Sequence, residues 1–293
     1  MFVTVEGLES ASDLGILMAE KRGFFADAGI SATVLAPAAP IRSIAYVASG
    51  SSAFGVTRLP QAAMSRAEGV KVVAVGSLIS QPTMSLIWLP GSGIRSVADL
   101  KGKRIAIAGL PFEEGFLESV LRKEGLALDD VRLRRVGYEL VPSLLDGRAD
   151  AILGSWNQEG VELEARGESP EVTRLRSLGG PDYEELVVVG RADRVAEDPR
   201  LVRDFMSAVV RGVDAAVDDP AAAVEVLQED LEANPETDPQ ARKAEVGETL
   251  PLLSTTGIVD ADSTEELLEW MHQEGLVKGK LTSSEVLAGG LGA

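Results

Sequence analysis

The sequence predicts an α/β protein of two lobes, built from two series of strand–helix–strand units and a mostly helical tail. Three observations carry this. Short β-like runs alternate with helical patterns as far as Tyr183, the mark of parallel βαβ units. At 293 residues the chain is long enough for two domains of ordinary size. After Tyr183 one more strand, "ELVVVG", gives way to helical pattern through the remainder.

Taken in order, "FVTV" (2–5) reads as a strand and "DLGILMAEKRGFFADAG" (13–29) as a helix ended by Gly29. "SATVLAP" is the next strand, and "IRSIAYVASG" a helix closed by Gly50. Strand, helix and strand follow in "SAFGVT" (52–57), "LPQAAMSRAEG" (59–69) and "VKVVAVGSL" (70–78). A second series starts after "SLIWLPGSG" (85–93). It runs "VADLKG" helix, "RIAIAG" strand, "FEEGFLESVLRKEG" helix, "VRLRRVG" strand and "LVPSLLDGRA" helix. "DAILGS" strand, "EGVELEARG" helix and "VTRLRSLG" strand complete it. In the tail, "DPRLVRDFMSAVVRGVDAAVDD" and "DPAAAVEVLQEDLEA" each open with Asp-Pro, an N-cap followed by a first-turn proline. "DSTEELLEWMHQEG" (262–275) has a Ser/Thr-x-x-Glu-like start, and "EDLEANPETDPQ" (229–240) is polar enough for a loop. The chain is expected to cross between lobes near 84–90 and return near 184–190, two extended strands forming the hinge. That gives a discontinuous lobe, 1–86 plus 188–293, and a continuous one, 87–187. A cleft between lobes is a preferred place for a small ligand.

The charge balance is 28 basic against 46 acidic residues, a formal −18. It opposes nucleic acid and anionic membranes, which need clustered Lys and Arg. With no cysteine, disulfides, thiolate nucleophiles and Cys-ligated metals are excluded. His272 is the sole histidine, which argues against a Ser-His-Asp triad and multi-His metal sites. Neither metal nor cofactor is expected. No apolar run approaches the ~18–20 residues of a membrane span, and Met1 leads directly into a strand without a signal-peptide pattern.

"SGIRSVADLKGKRIAIAG" (92–109) resembles the S-x-x-DLKGK-x-I passage of type II periplasmic solute-binding proteins. "QPTMSLI" (81–87), "PFEEGFLESVLRKEGL" (111–126), "VGYELVPSLLDGRADAILGSWNQEGVELEARG" (136–167), "GGPDYEELVVV" (179–189) and "DPRLVRDFMSAVVRG" (198–212) resemble one branch of them. That branch serves thiamine-pyrimidine precursors, with relatives assigned to riboflavin and sulfonates. "SWNQEGVELE" and "PFEEG" are its most specific parts; "DLKGK" occurs widely. The resemblance implies a bilobal Venus-flytrap receptor, non-enzymatic and monomeric, that delivers a small molecule to an ABC permease. It also implies an extracytoplasmic, exported or lipid-anchored mature protein whose signal and anchoring Cys lie upstream of this chain. Members usually carry DW-x-PN-x-x-H-x-G near the start, where the Trp stacks on the ligand. Here "EGLESASDLG" (6–15) places Gly7 at the Trp position and Asp13 at the His position.

Candidate site residues follow, each with two readings. Glu113 and Glu114 open a helix at a junction that normally attracts anions. They stabilise the first turn through the dipole by about 0.3–1 kcal/mol, or they make a pocket that rejects anions and accepts N–H bonds from an aminopyrimidine edge. Trp156 stacks on a ring or packs in a core; Asn157 caps a helix or bonds the ligand. Glu159 matches the family's acidic position and is the foremost single candidate. Arg58 closes an interlobe salt bridge or faces the pocket, and Gln61 reads polar ring atoms. Gln81 and Thr83 sit beside the hinge, where turn chemistry is the alternative. Tyr183 supplies an aromatic wall or packs on the hinge, and Asp13 is a natural N-cap. The rival functions are an enzyme of the pyrimidine-precursor-synthase or menaquinone-pathway kind on the same fold, a riboflavin or sulfonate receptor, and a sensor ectodomain. The synthases of that fold consume a lysine and a histidine, and here no histidine precedes 272.

Overall fold

In a computed structural model, residues 1–5, 10–36, 42–228 and 238–289 are described; Gly7 and most of the 229–240 loop fall outside them. The first series comprises β1 (Phe2–Thr4), α1 (Leu14–Lys21), α2 (Phe24–Asp27), β2 (Thr33–Leu35), α3 (Arg42–Ser49), β3 (Phe54–Arg58), α4 (Leu59–Ala67) and β4 (Val72–Ile79). The second comprises β5 (Met84–Trp88), β6 (Arg104–Ile107), α5 (Pro111–Lys123), β7 (Arg132–Arg135), α6 (Leu140–Leu145), β8 (Ala151–Ser155), α7 (Val161–Ala165) and β9 (Glu171–Arg174). Then come β10 (Leu186–Arg191), α8 (Ala192–Glu197), α9 (Pro199–Asp218), α10 (Pro220–Gln228), α11 (Pro239–Thr249), α12 (Ala261–Gln273) and α13 (Ser283–Val286).

The strands form two five-stranded sheets, ordered β2-β1-β3-β10-β4 and β7-β6-β8-β5-β9. β1 is parallel to β2 and β3, and β6 is parallel to β7 and β8, as βαβ units require. The exceptions are β10 and β5, each antiparallel to both of its neighbours. Each is the first strand after the chain changes sheet, and each is inserted between strands of its new sheet rather than added at an edge. β5 lies wholly in the second sheet and β10 wholly in the first. The crossings are therefore the short segments 80–83 and 179–185, not the strands themselves.

Local rules explain where elements stop. The helix expected over 13–29 is two pieces, because Gly23 takes a left-handed φ of 76° between α1 and α2. The strand expected in "VTRLRSLG" ends at Arg174 and closes in a 3₁₀ turn, and "VADLKG" is also 3₁₀ rather than α. Asp198 and Asp219 cap their helices by accepting the N–H of Leu201 and Ala222 at 3.0 and 3.1 Å. For α12 the cap is Asp260, which accepts from Ser263 at 2.7 Å, so the helix starts earlier than the Ser/Thr-x-x-Glu reading implied.

Much of the helical tail covers the first sheet. Leu186 to Val189 of β10 are all buried, as befits a strand with neighbours on both faces. α9 crosses α1 so closely that a Cβ at Gly212 would lie 2.0 Å from the Gly15 carbonyl oxygen. α12 reaches the second lobe too, with Trp270 packed on Phe116 of α5 at 4.9 Å between ring centroids. Overpacking typically costs about 1–3 kcal/mol, so Gly212→Ala is expected to lower stability by at least that much. Gly247, exposed on α11 with nothing within 4 Å of its would-be Cβ, should instead gain up to about 1 kcal/mol as Ala. Urea denaturation of the two variants checks both signs.

Candidate ligand-binding cleft

β3 ends in Arg58 and β8 in Ser155, so the C-terminal ends of both sheets point at the two crossings. Glu185, last residue of the return crossing, ties them together. It is 1% exposed; its Oε1 is ion-paired with Arg58 Nη1. Its Oε2 accepts the Thr83 N–H at 3.0 Å and the Tyr183 hydroxyl at 3.3 Å. Arg58 Nη2 and Thr83 Oγ1 both donate to Ser155 Oγ at 3.2 Å, which brings in the second sheet. This polar junction borders a cleft of about 250 Å³ between the lobes.

The cleft walls include the loops after β6 and β8, where free N–H groups would normally meet an anion. Here the chain's own carboxylates take them. Glu113, 2% exposed, folds back so that Oε2 accepts the N–H of Gly109 and Leu110, each at 2.7 Å, and Oε1 that of Ala108 at 3.3 Å. Burial pushes its carboxyl up to about 7, against the pull of those N–H groups and of Arg58. Glu159 does the same after β8, accepting the Ser155 N–H at 2.6 Å. Its carboxylate lies over Gly154, where a Cβ would come within 3.0 Å of Oε2. Burial raises the Glu159 carboxyl as well, opposed by its backbone N–H bonds and Arg58.

Of the predicted residues, Asp13, Arg58, Thr83, Glu113 and Glu159 line this cleft. Asp13 holds the N-cap position of α1, but its Oδ2 reaches back to the N–H and hydroxyl of Ser10 at 3.2 and 3.1 Å instead of capping the helix. The other six do not line it. Glu114 points outward to Arg135, whose Nε donates to it at 2.8 Å, because helical spacing separates it from Glu113 by about 100°. Gln61 is buried on α4 and bonds Ser65 one turn on, at 3.5 Å. Gln81 lies in the first crossing, away from the cleft wall. Trp156 and Asn157 sit in a π-helical turn, 156–160, that turns them away from the cleft. Trp156 packs against the first lobe's core beneath the Arg174 guanidinium, 3.9 Å from its ring centroid. Asn157 donates to Thr249 Oγ1 at 2.9 Å and is no cap. Tyr183 is 2% exposed and acts behind the wall, on Glu185.

Five further charged or aromatic lining residues escaped the sequence. Glu185 had a signal, an acid directly before a buried apolar run. Tyr138, 37% exposed on the loop after β7, had one too: it follows a parallel strand, where α/β sheets present their binding loops. Glu162, Arg242 and Glu245 had none, since charges on α7 and α11 look like any solvated helix face. Altogether six carboxylates (Asp13, Glu113, Glu159, Glu162, Glu185, Glu245) face two guanidinium groups, Arg58 and Arg242. Among the described residues no group of His, Cys, Asp or Glu is arranged to hold a metal ion.

Two mixed α/β sheets joined by two crossings, with the cleft between them, define the periplasmic-binding-protein fold of type II. The chain belongs to the NMT1/THI5-like family, whose model matches residues 11–223. It is 31% identical to a Haemophilus influenzae protein named for thiamine biosynthesis, over 92% of this chain and 85% of that one. It is 28% identical to the formylaminopyrimidine-binding protein of Halalkalibacterium halodurans, over 87% and 79%. A Legionella pneumophila 4-amino-5-hydroxymethyl-2-methylpyrimidine phosphate synthase is 28% identical over 84% and 78%. Among solved structures, the alkanesulfonate-binding protein of Xanthomonas axonopodis pv. citri shares the fold with TM-score 0.76 and 17% identity, covering 98% of this chain and 97% of that one.

Two measurements test the site's energetics. Glu185→Ala takes from Arg58 its buried counter-charge and is expected to cost about 3–5 kcal/mol, part of it recovered in the Arg58→Met, Glu185→Leu double variant. Because burial holds the folded Glu113 carboxyl above its unfolded value, the folded state binds the extra proton between pH about 4.5 and about 7. That contribution is complete at the acid end and is lost as pH rises through the window, by up to about 3 kcal/mol. Glu113→Gln should remove its share of the slope, read from urea midpoints at pH 5 and pH 7.5.

Proposed function

We propose that this chain is the solute receptor of an ABC importer, capturing a neutral or cationic nitrogen heterocycle of thiamine-pyrimidine type in the cleft. The observation that carries this reading is the use of the chain's own carboxylates on the loop N–H groups. An anion arriving at 108–110 finds its donors already taken by the Glu113 carboxyl. An amino-substituted ring finds acceptors, since a carboxylate has about four lone-pair sites and the cleft has six such groups. Tyr138 offers an exposed aromatic face at the wall. The name of the formylaminopyrimidine-binding relative supports the same ligand class.

The lobes, 1–86 with 188–293 and 87–187 in outline, close over the ligand about the crossings at 80–83 and 179–185. The mature protein works outside the cytoplasmic membrane, as a monomer docking on its permease. No helix among the described residues is long and apolar enough to cross a membrane. The synthase names among relatives give the second reading, an enzyme on the same fold. Against it, no lysine or histidine lines the described cleft, so the groups that such synthases consume are missing there.

A thermal-shift panel tests the proposal. At a hundredfold its Kd, a ligand adds about 2.7 kcal/mol, a shift of several degrees for a chain of this size. Aminopyrimidines are expected to give that shift, and taurine and alkanesulfonates none. A shift with sulfonates alone would overturn the ligand class. Mass spectrometry of recovered ligand should show it unchanged; a new product would establish the enzyme reading.

A further inference from the structure

Three consecutive side chains of the π-helical turn after β8 end on the opposite lobe. Trp156 packs on the first lobe's apolar core. Asn157, fully buried, donates to Thr249 Oγ1 at the end of α11 at 2.9 Å, and Gln158 donates to Ser12 Oγ at 3.2 Å. Gln158 and Ser12 both line the cleft from different lobes, so widening the cleft must part them. A second seam joins the lobes elsewhere: Trp270 lies on Phe116, Leu276 covers Gly115, and Arg122 pairs with Glu274 at 3.1 Å. None of those residues lines the cleft, and that seam need not part. The first seam is also incomplete. Trp156 Nε1 and Asn157 Oδ1 are buried with no hydrogen-bond partner among the described residues. Bonds left unmade by buried groups are costly, and both groups reach water once the turn lifts off. A seam built only for stability would pair them.

We propose that the 156–160 turn is the latch of the closed cleft: Trp156, Asn157 and Gln158 dock the second lobe on the first, in balance with an undocked, open state. The assignment rests on the receptor reading above and names the element that sets its open–closed balance. A π turn suits such a part, being a rare turn that recurs at functional sites. The same turn ties the latch to the ligand and to the crossing. Glu159 belongs to it and lines the cleft, its Oε2 accepting the Ser155 N–H at 2.6 Å. The Trp156 N–H donates to the Thr83 carbonyl, in the outgoing crossing, at 3.0 Å. A ligand that touches Glu159 therefore bears on the docked turn, and its differential affinity for the docked state moves the balance.

The chain has no cysteine, so a spin-label pair can be introduced without background. With Ala26→Cys on α2 and Arg132→Cys on β7, both exposed and on opposite lobes, double electron–electron resonance reads the lobe separation with no ligand added. Thr249→Val removes the acceptor of Asn157 while keeping its shape, and Gln158→Ala removes the bond to Ser12. Together they are expected to raise the ratio of long to short separations by about fivefold or more, the worth of a buried donor left unpaired. Asp198→Ala, which uncaps α9 away from the lobe boundary, should lower the urea midpoint and leave that ratio unchanged. An unchanged ratio in the latch variants, or an equal rise in Asp198→Ala, overturns the assignment. If Thr249→Val does not fold, Gln158→Ala and Ser12→Ala break one bond from its two ends and must open the cleft alike; no opening in either overturns it. If the latch variants open while 4-aminopyrimidine at saturating concentration restores the short separation in none of them, the ligand reading fails and the latch stands.

Discussion

The Glu185 carboxylate is the point on which the two lobes agree. It neutralises Arg58 at the end of β3, holds the N–H of Thr83 in the outgoing crossing and receives the Tyr183 hydroxyl from the returning one. Through Arg58 and Thr83 it also fixes Ser155 at the end of β8. A buried ion pair is poor evidence of stability by itself, because desolvation offsets the attraction. Its value here is positional: sheet ends from both lobes and both connecting segments share one acceptor.

From that junction the cleft acquires its sign. In this fold the loops beyond parallel strands expose N–H groups, and helix dipoles add to their positive field. Glu113 and Glu159 occupy donors of those loops with the chain's own carboxyl groups. The TM-score of 0.76 to an alkanesulfonate-binding protein at 17% identity shows that the architecture is shared.

How much of this was legible depended on range. Hydrophobic alternation and glycine punctuation located the strands and most helices, because those signals act within a few residues. The crossings were misplaced by a few residues, since the inserted strands β5 and β10 read like hinge strands until their antiparallel partners are known. Glu113 stood out by its place at a helix start, but whether it faces ligand or caps its own loop depends on side-chain direction. "SWNQEG" was found and partly misread for a similar reason. The π turn sends Trp156 and Asn157 toward the first lobe and α11, and Glu159 toward the cleft. Arg242 and Glu245 were invisible, because only tertiary packing distinguishes them from solvated charges.

The most direct measurement is a crystal structure of the protein soaked or co-crystallised with a 4-aminopyrimidine. The expected result places the amino edge within hydrogen-bond distance of the cleft carboxylates, with Glu113 still seated on the N–H groups of 108–110. A ligand bound to those N–H groups, with the Glu113 side chain displaced, would contradict the view that the chain fills its own anion site.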